Sequence, residues 1–251
     1  MSRYVAMGSS FAAGPLIGRR SPDSPPRARR SAVNYPHLLA ARLGLDLVDV
    51  TYSGATAAEL LDGQAGAGVP QIDAVTADTE LVTITCGGND VGYLGRLTAV
   101  GAPWPISALP KVRKKADEVA RHSDERLDGL AATFDRLTGE VRRRAPRARL
   151  LLVDYLTILP PDPTVPTGRL SGEVADWGRA VAQRLIEETR AAAERADGEY
   201  VAASAASREH HAWAEEPWTR RFQMSRHGGA PYHPNTAGMR AVAELLASTV
   251  G

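Results

Sequence analysis

Ser9 and Ser10 follow the apolar run Tyr4-Val5-Ala6-Met7 and the turn residue Gly8, and Ala12, Ala13 and Gly14 come just after. The pattern reads as a buried strand that ends in a tight turn. A serine at the carboxyl end of a parallel strand stands where α/β folds bind ligands. Either serine is then a candidate nucleophile, provided that the chain supplies a base and donors for a developing oxyanion. Three later segments offer such groups. The turn Tyr52-Ser53-Gly54-Ala55-Thr56 brings a glycine amide after an apolar run. Cys86-Gly87-Gly88-Asn89-Asp90 brings a carboxamide after Leu81-Val82-Thr83-Ile84-Thr85. Tyr232-His233-Pro234-Asn235 brings an imidazole just before a helical pattern near the C-terminus.

In these residues and in their order the chain resembles the SGNH, or GDSL-type, hydrolases. Those enzymes are named for a serine, a glycine, an asparagine and a histidine in that sequence. Gly87-Gly88-Asn89-Asp90 matches the family's Gly-x-Asn-Asp block, and His233-Pro234 matches its histidine–proline pair. The resemblance runs from residue 4 to about residue 246. Aligning Gly8 with the family's Gly-Asp-Ser places the nucleophile at Ser10, with Ser9 where an aspartate is usual. The resemblance further implies that His233 is the base. It assigns the oxyanion donors as the Ser10 amide, the Gly54 amide and the Asn89 side chain. Asp90 beside them reads as structural.

One position departs from the family pattern. An aspartate commonly lies three residues before the histidine, and here that residue is Ala230. A carboxylate there would orient the imidazole and stabilise its charged form. Two readings remain open. A main-chain carbonyl accepts the Nδ1 hydrogen, giving a Ser–His dyad, or an acid such as Glu209, Glu215 or Glu216 reaches in. Of the six histidines, His37, His122, His210, His211, His227 and His233, only His233 has the following proline and helix. His210 and His211 lie beside Glu209, but no second cluster has metal-ligand spacing, so no metal is expected. The segment reads as the loop leading to His233, with Trp213 or Trp218 packing near the substrate mouth.

Strand patterns at 3–7, 47–51, 81–85, 149–155 and 199–203 alternate with helical ones, which argues for a parallel sheet covered on both faces. The resemblance sharpens this to a three-layer α/β/α sandwich with a central parallel five-stranded sheet, flavodoxin-like in topology, in one domain over 1–251. Leu127, Leu130, Phe134, Leu137 and Val141 form an apolar stripe at helical spacing. So do Val174, Trp177, Val181 and Leu185, and near the end Met239, Val242 and Leu246. These stripes read as core. Three segments read as excursions. Residues 18–31, rich in proline and arginine, suggest a solvated loop, with a phosphate-binding patch as the alternative. Residues 96–116 and 157–172 suggest walls of an acyl pocket.

Thirty basic residues against 29 acidic ones leave a formal charge of +1, which makes no case for a nucleic-acid partner. The single cysteine, Cys86, excludes an internal disulfide and reads as a small core residue. No stretch approaches the roughly 20 apolar residues of a membrane span, and no signal-peptide pattern is visible. A cytoplasmic location is therefore expected. The resemblance implies an esterase or lipase-like hydrolase that cleaves a small acyl ester without a cofactor. Two alternatives share these residues. One is an acyltransferase to a sugar or alcohol acceptor. The other, motivated by Ser9 and Ala230, is a non-catalytic acyl- or carbohydrate-binding relative.

Overall fold

The structure, a computed structural model, describes residues 1–64, 69–223 and 228–251. Five strands, β1 (Arg3–Gly8), β2 (Asp46–Asp49), β3 (Thr79–Thr85), β4 (Arg149–Val153) and β5 (Glu199–Val201), form one sheet in the order β2-β1-β3-β4-β5. Every neighbouring pair is parallel. The two central strands are buried along almost their whole length, as strands covered on both faces must be. Strand ends shift slightly from the expected ones. The run expected at 149–155 stops at Val153, and the Asp154 carboxylate just beyond it bonds the Tyr200 hydroxyl and the Ser204 amide.

The helices are α1 (Ser10–Ala13), α2 (Tyr35–Leu43), α3 (Ala57–Asp62), α4 (Tyr93–Gly101), α5 (Pro110–Arg121), α6 (Ser123–Arg144), α7 (Gly172–Arg195), α8 (Ala203–Ala206) and α9 (Thr236–Val250). α2 packs on α9 on one face of the sheet, while α6 packs on α7 and α3 on the other. The expected stripes are in the core: Leu127, Leu130, Phe134, Leu137 and Val141 are buried, as are Val174, Val181, Leu185, Met239, Val242 and Leu246, while Trp177 is half-buried and packs against them. Local chemistry marks the helix starts. Asn34 caps α2, Ser171 caps α7, and Thr56 with Glu59 forms a capping box on α3.

Two of the excursions differ from expectation. Residues 96–116 are mostly helical: α4 ends at Gly101, prolines at 103, 105 and 110 interrupt the chain, and Pro110 opens α5 at a position that needs no amide hydrogen. The 18–31 loop is anchored rather than loosely solvated. Ser21, Ser24, Ala28 and Ser31 are buried, the Ser21 amide donates to the Arg30 carbonyl at 2.9 Å, and the Ser53 hydroxyl donates to the Ala28 carbonyl at 2.7 Å. Cys86 is buried in the core as expected, and burial pushes its thiol well above the ordinary range.

Candidate active site

The carboxyl end of β1 turns sharply at Gly8, whose φ is +140°. A side chain there would strike the Thr85 carbonyl oxygen on β3, so only glycine fits. The strand end is bonded on every side. The Ser9 amide donates to the Thr85 carbonyl at 2.9 Å, and the Tyr52 amide donates to the Gly8 carbonyl at 2.9 Å. Gln71 brackets the same peptide, accepting from the Gly8 amide at 2.8 Å and donating to its carbonyl at 3.1 Å. Gln71 stands out in no motif; only the folded chain brings it to this turn.

The two serines part company here. Ser9 is buried, and its hydroxyl lies 3.4 Å from that of Tyr155, which also accepts the Gly88 amide at 2.9 Å. Ser9 therefore braces the β1 and β3 turns against the segment after β4. Ser10 lines a cleft of about 1060 Å³ together with Gly54, Asn89 and His233. Its Oγ lies 2.8 Å from His233 Nε2.

His233 Nδ1 lies 2.7 Å from the Pro231 carbonyl oxygen. Both ring nitrogens are thus occupied, and the partner of Nδ1 is a main-chain carbonyl rather than Glu209, Glu215 or Glu216. A carbonyl accepts only, so Nδ1 carries the hydrogen and Nε2 faces Ser10 as an acceptor. The imidazole packs against Phe11, with ring centroids 5.5 Å apart. Burial pushes its pKa down to about 4, partly offset by the bond to Pro231. At neutral pH the ring is therefore uncharged and able to take a proton.

His233 comes from a segment with little regular structure, held by scattered bonds. The Ala230 and Gly229 amides donate to the Pro15 and Leu16 carbonyls at 3.2 and 2.7 Å, just past α1. The Arg220 amide donates to the His233 carbonyl at 3.0 Å, and the Tyr232 amide donates to the Arg220 carbonyl at 2.9 Å. Asn235 closes the segment. Its side chain caps α9 by accepting from the Gly238 amide at 3.0 Å, and its own amide donates to the Trp218 carbonyl at 2.9 Å. Tyr232 carries a φ of +58°, an uncommon conformation for an aromatic residue, immediately before the histidine.

Gly54 and Asn89, which the sequence suggests as oxyanion donors, line the cleft together with Ser10. Among the described residues, the Ser10 and Gly54 amides have no hydrogen-bond partner in the protein. Asn89 donates through Nδ2 to the Ala55 carbonyl at 2.9 Å, which fixes the carboxamide plane and leaves its second N–H unused by that bond. Asp90 faces the α3 terminus instead, with both carboxylate oxygens 3.0 Å from the Ala57 amide. Burial pushes its carboxyl up to about 6. It ties the Asn89 turn to the Gly54 turn.

Apolar side chains dominate the cleft wall, with Leu94, Ile106, Val112, Val119 and Phe222 prominent. The expected wall at 96–116 is there, while 157–172 contributes no lining residue. Trp213 and Trp218 also fall outside the lining. Trp218 stacks on His210 at 4.1 Å between centroids, and Trp213 packs 6.3 Å from Tyr232, so both support the histidine segment from behind. The other histidines in the described residues are occupied elsewhere: His37 bonds Asn34, His122 bonds the Glu118 carbonyl, and His211 accepts from the Trp213 amide. His227 lies outside the described residues.

A serine and an imidazole thus lie within hydrogen-bond reach, beside unpartnered amides, past the strand ends of a parallel sheet. The chain belongs to the GDSL-like lipase/acylhydrolase family, whose model matches residues 6–241. It is 34% identical to lipase 2 of Streptomyces coelicolor over 259 aligned residues, covering 99% of this chain and 85% of that protein. Among solved structures it is similar to the extracellular lipase of Streptomyces rimosus, at 25% identity and a TM-score of 0.76, with 99% of each chain covered. It shares its fold with phospholipase A1 of Streptomyces albidoflavus, at 23% identity and a TM-score of 0.80, with 98% of each chain covered. Together these relatives support a carboxylic ester hydrolase.

Proposed function

We propose that the chain cleaves carboxylic acyl esters through an acyl-enzyme on Ser10, with His233 as a base oriented by the Pro231 carbonyl. The observation that carries this reading is the relay from Ser10 Oγ to His233 Nε2 and from Nδ1 to Pro231, at 2.8 and 2.7 Å. Ser10 Oγ attacks the ester carbonyl carbon while His233 Nε2 takes its proton. The negative oxygen is met by the Ser10 and Gly54 amides and by the Asn89 carboxamide. Such donors act where water is excluded, so they contribute more than they would in solvent. The tetrahedral species collapses, the ester C–O bond breaks, and the alcohol leaves with the proton from His233. Water then attacks the acyl-enzyme, giving its proton to His233, and the carboxylic acid departs as Ser10 regains a proton.

A main-chain carbonyl stabilises an imidazolium less than a carboxylate would. Burial adds to the cost of charging the ring, holding its pKa at about 4. The imidazolium arises together with the oxyanion, however, and the pair of opposite charges offsets part of the cost. The apolar wall suits the acyl part of the substrate. The chain's kinship with lipase 2 of Streptomyces coelicolor supports the same substrate class.

Hydrolysis of a p-nitrophenyl ester series, acetate through palmitate, tests the reading. Turnover is expected to vanish in Ser10→Ala and His233→Ala and to persist in Ser9→Ala. Absence of turnover in the wild type, with no phosphonate adduct on Ser10, would favour the non-catalytic binding relative. Acyl transfer to an added alcohol in preference to water would favour the transferase.

A further inference from the structure

We propose that residues 102–121 form a docking surface for an anionic lipid–water interface, placed so that acyl chains pass from that surface into the Ser10 cleft. The apolar part comes first. Six large hydrophobic side chains are exposed among the described residues, and three of them, Trp104, Ile106 and Leu109, fall within six positions of one another. Their exposures are 79%, 52% and 51%. Single exposed apolar residues are ordinary on a soluble surface, but a cluster marks a contact. Tryptophan is also the side chain best suited to a lipid headgroup boundary. Ile106 lines the cleft as well, so the exposed patch runs continuously into the acyl wall.

Charge selects the occupant. Residues 102–121 contain Lys111, Arg113, Lys114, Lys115 and Arg121 against Asp117 and Glu118, five cations to two carboxylates. Lys111, Arg113 and Lys114 are exposed on the first turns of α5, directly after Leu109. Arg27 and Arg29, from the anchored 18–31 loop, are exposed and line the same cleft, as do Lys115 and Arg126. Glu59 is the only carboxylate on the described lining, and it is engaged in the α3 capping box. Since the chain carries only +1 overall, the rest of it is net acidic, and the positive charge is gathered on this face. Each basic residue near an anionic membrane surface contributes about 1 kcal/mol of attraction. A phosphate-rich polymer would use the cations and leave Ile106 and Leu109 in water. A lipid surface satisfies both. Among the described residues no helix is long and apolar enough to cross a membrane.

The inference rests on the esterase reading for what enters the cleft, but the docking itself does not need catalysis. Ser10→Ala protein is therefore the sample, tested by co-sedimentation with two kinds of vesicle, phosphatidylcholine alone and phosphatidylcholine with about one quarter phosphatidylglycerol. Binding to the anionic vesicles is expected to be at least about tenfold tighter. Lys111→Glu, Arg113→Glu and Lys114→Glu together are expected to remove that preference. Trp104→Ser with Leu109→Ser is expected to weaken binding to both vesicles by about tenfold. The same substitutions in the Ser10 protein are expected to leave turnover of a soluble acetate ester unchanged, which shows that they fold. Equal binding by parent and variants would overturn the proposal. So would sedimentation velocity showing a dimer that Trp104→Ser dissolves, since the patch would then cover a second copy of the chain. Loss of the esterase reading would appear separately, as acetate turnover that persists in Ser10→Ala.

Discussion

The two halves of the candidate site are built differently. Ser10, Gly54 and Asn89 sit at or just past the ends of strands, where ladder bonds and the bracketing Gln71 hold the backbone. His233 sits in an irregular stretch between α8 and α9, held by separate bonds to Pro15, Leu16, Arg220 and Trp218. The strand-end half draws its geometry from the sheet and shares in its stability. The histidine half has no ladder, so its geometry rests on a few side chains and on the cap of α9. The difference separates residues whose loss removes chemistry from residues whose loss removes support.

The largest effects are expected where the halves meet. Ser10→Ala and His233→Ala should each lower kcat by about 10⁴-fold or more, read with a soluble ester, and the double variant should be little worse than either alone. Additive losses would mean that the two groups do not act as a unit. Asn89→Ala should follow with a loss of about 10²- to 10³-fold in kcat and a small change in KM, because its donor acts on charge that develops only in the transition state. An equal loss confined to KM would assign Asn89 to ground-state binding instead.

The next prediction concerns the histidine half alone. His233 must be neutral to accept the proton, and burial holds its pKa at about 4. The kcat/KM profile is therefore expected to stay level down through mildly acidic pH and to fall below about 4, as the ring becomes protonated. Ala230→Asp would add a carboxylate at the family's usual position, favour the imidazolium and move this acid limb upward by about one unit or more. An unmoved limb would show that the new acid does not reach Nδ1.

Smaller effects distinguish support from lining. Trp218→Ala removes the stack on His210 and should cost about 2 kcal/mol of stability in urea denaturation while leaving the preferred acyl length unchanged. A shifted optimum would return Trp218 to the substrate. On the strand-end half, burial holds the Asp90 carboxyl at about 6. The folded state then keeps a proton that the unfolded chain releases, so this group's contribution to stability declines as pH rises from about 4 to about 6. Asp90→Asn retains an acceptor for the Ala57 amide and removes that titration. Relative to wild type, the variant should gain about 3 kcal/mol between about pH 4 and about pH 7. His233 drives stability in the other direction over a similar range, but it is present in both proteins and cancels in the comparison.

Sequence patterns carried the strand-end half because each turn is coded within a few residues. An apolar run, a glycine and a polar residue stand side by side in the chain, as Gly8 with Ser10 and Gly88 with Asn89 show, although the close contacts that demand each glycine come from Thr85 and Tyr155 far along it. The five strands and the apolar stripes were legible for the same reason: periodicity is a property of neighbouring residues. The anchored state of the 18–31 loop was not, because Ala28 is buried by contact with a turn 25 residues away. Nor were the positions of Trp213 and Trp218, since an aromatic near a catalytic histidine packs equally well in front of it or behind.

By itself, then, the sequence determined the sheet, the chain order of the candidate site residues, and the absence of a carboxylate at position 230. The tertiary structure decided what replaces that carboxylate. The Pro231 carbonyl is present in any chain with this residue, and only the backbone path around Tyr232 turns it toward Nδ1. It also decided that Leu94, Ile106, Val112 and Val119 wall the cleft while the expected wall at 157–172 contributes nothing. Side-chain identities are written along the chain, but which of them share a surface depends on contacts between distant segments, and those exist only once the sheet has formed.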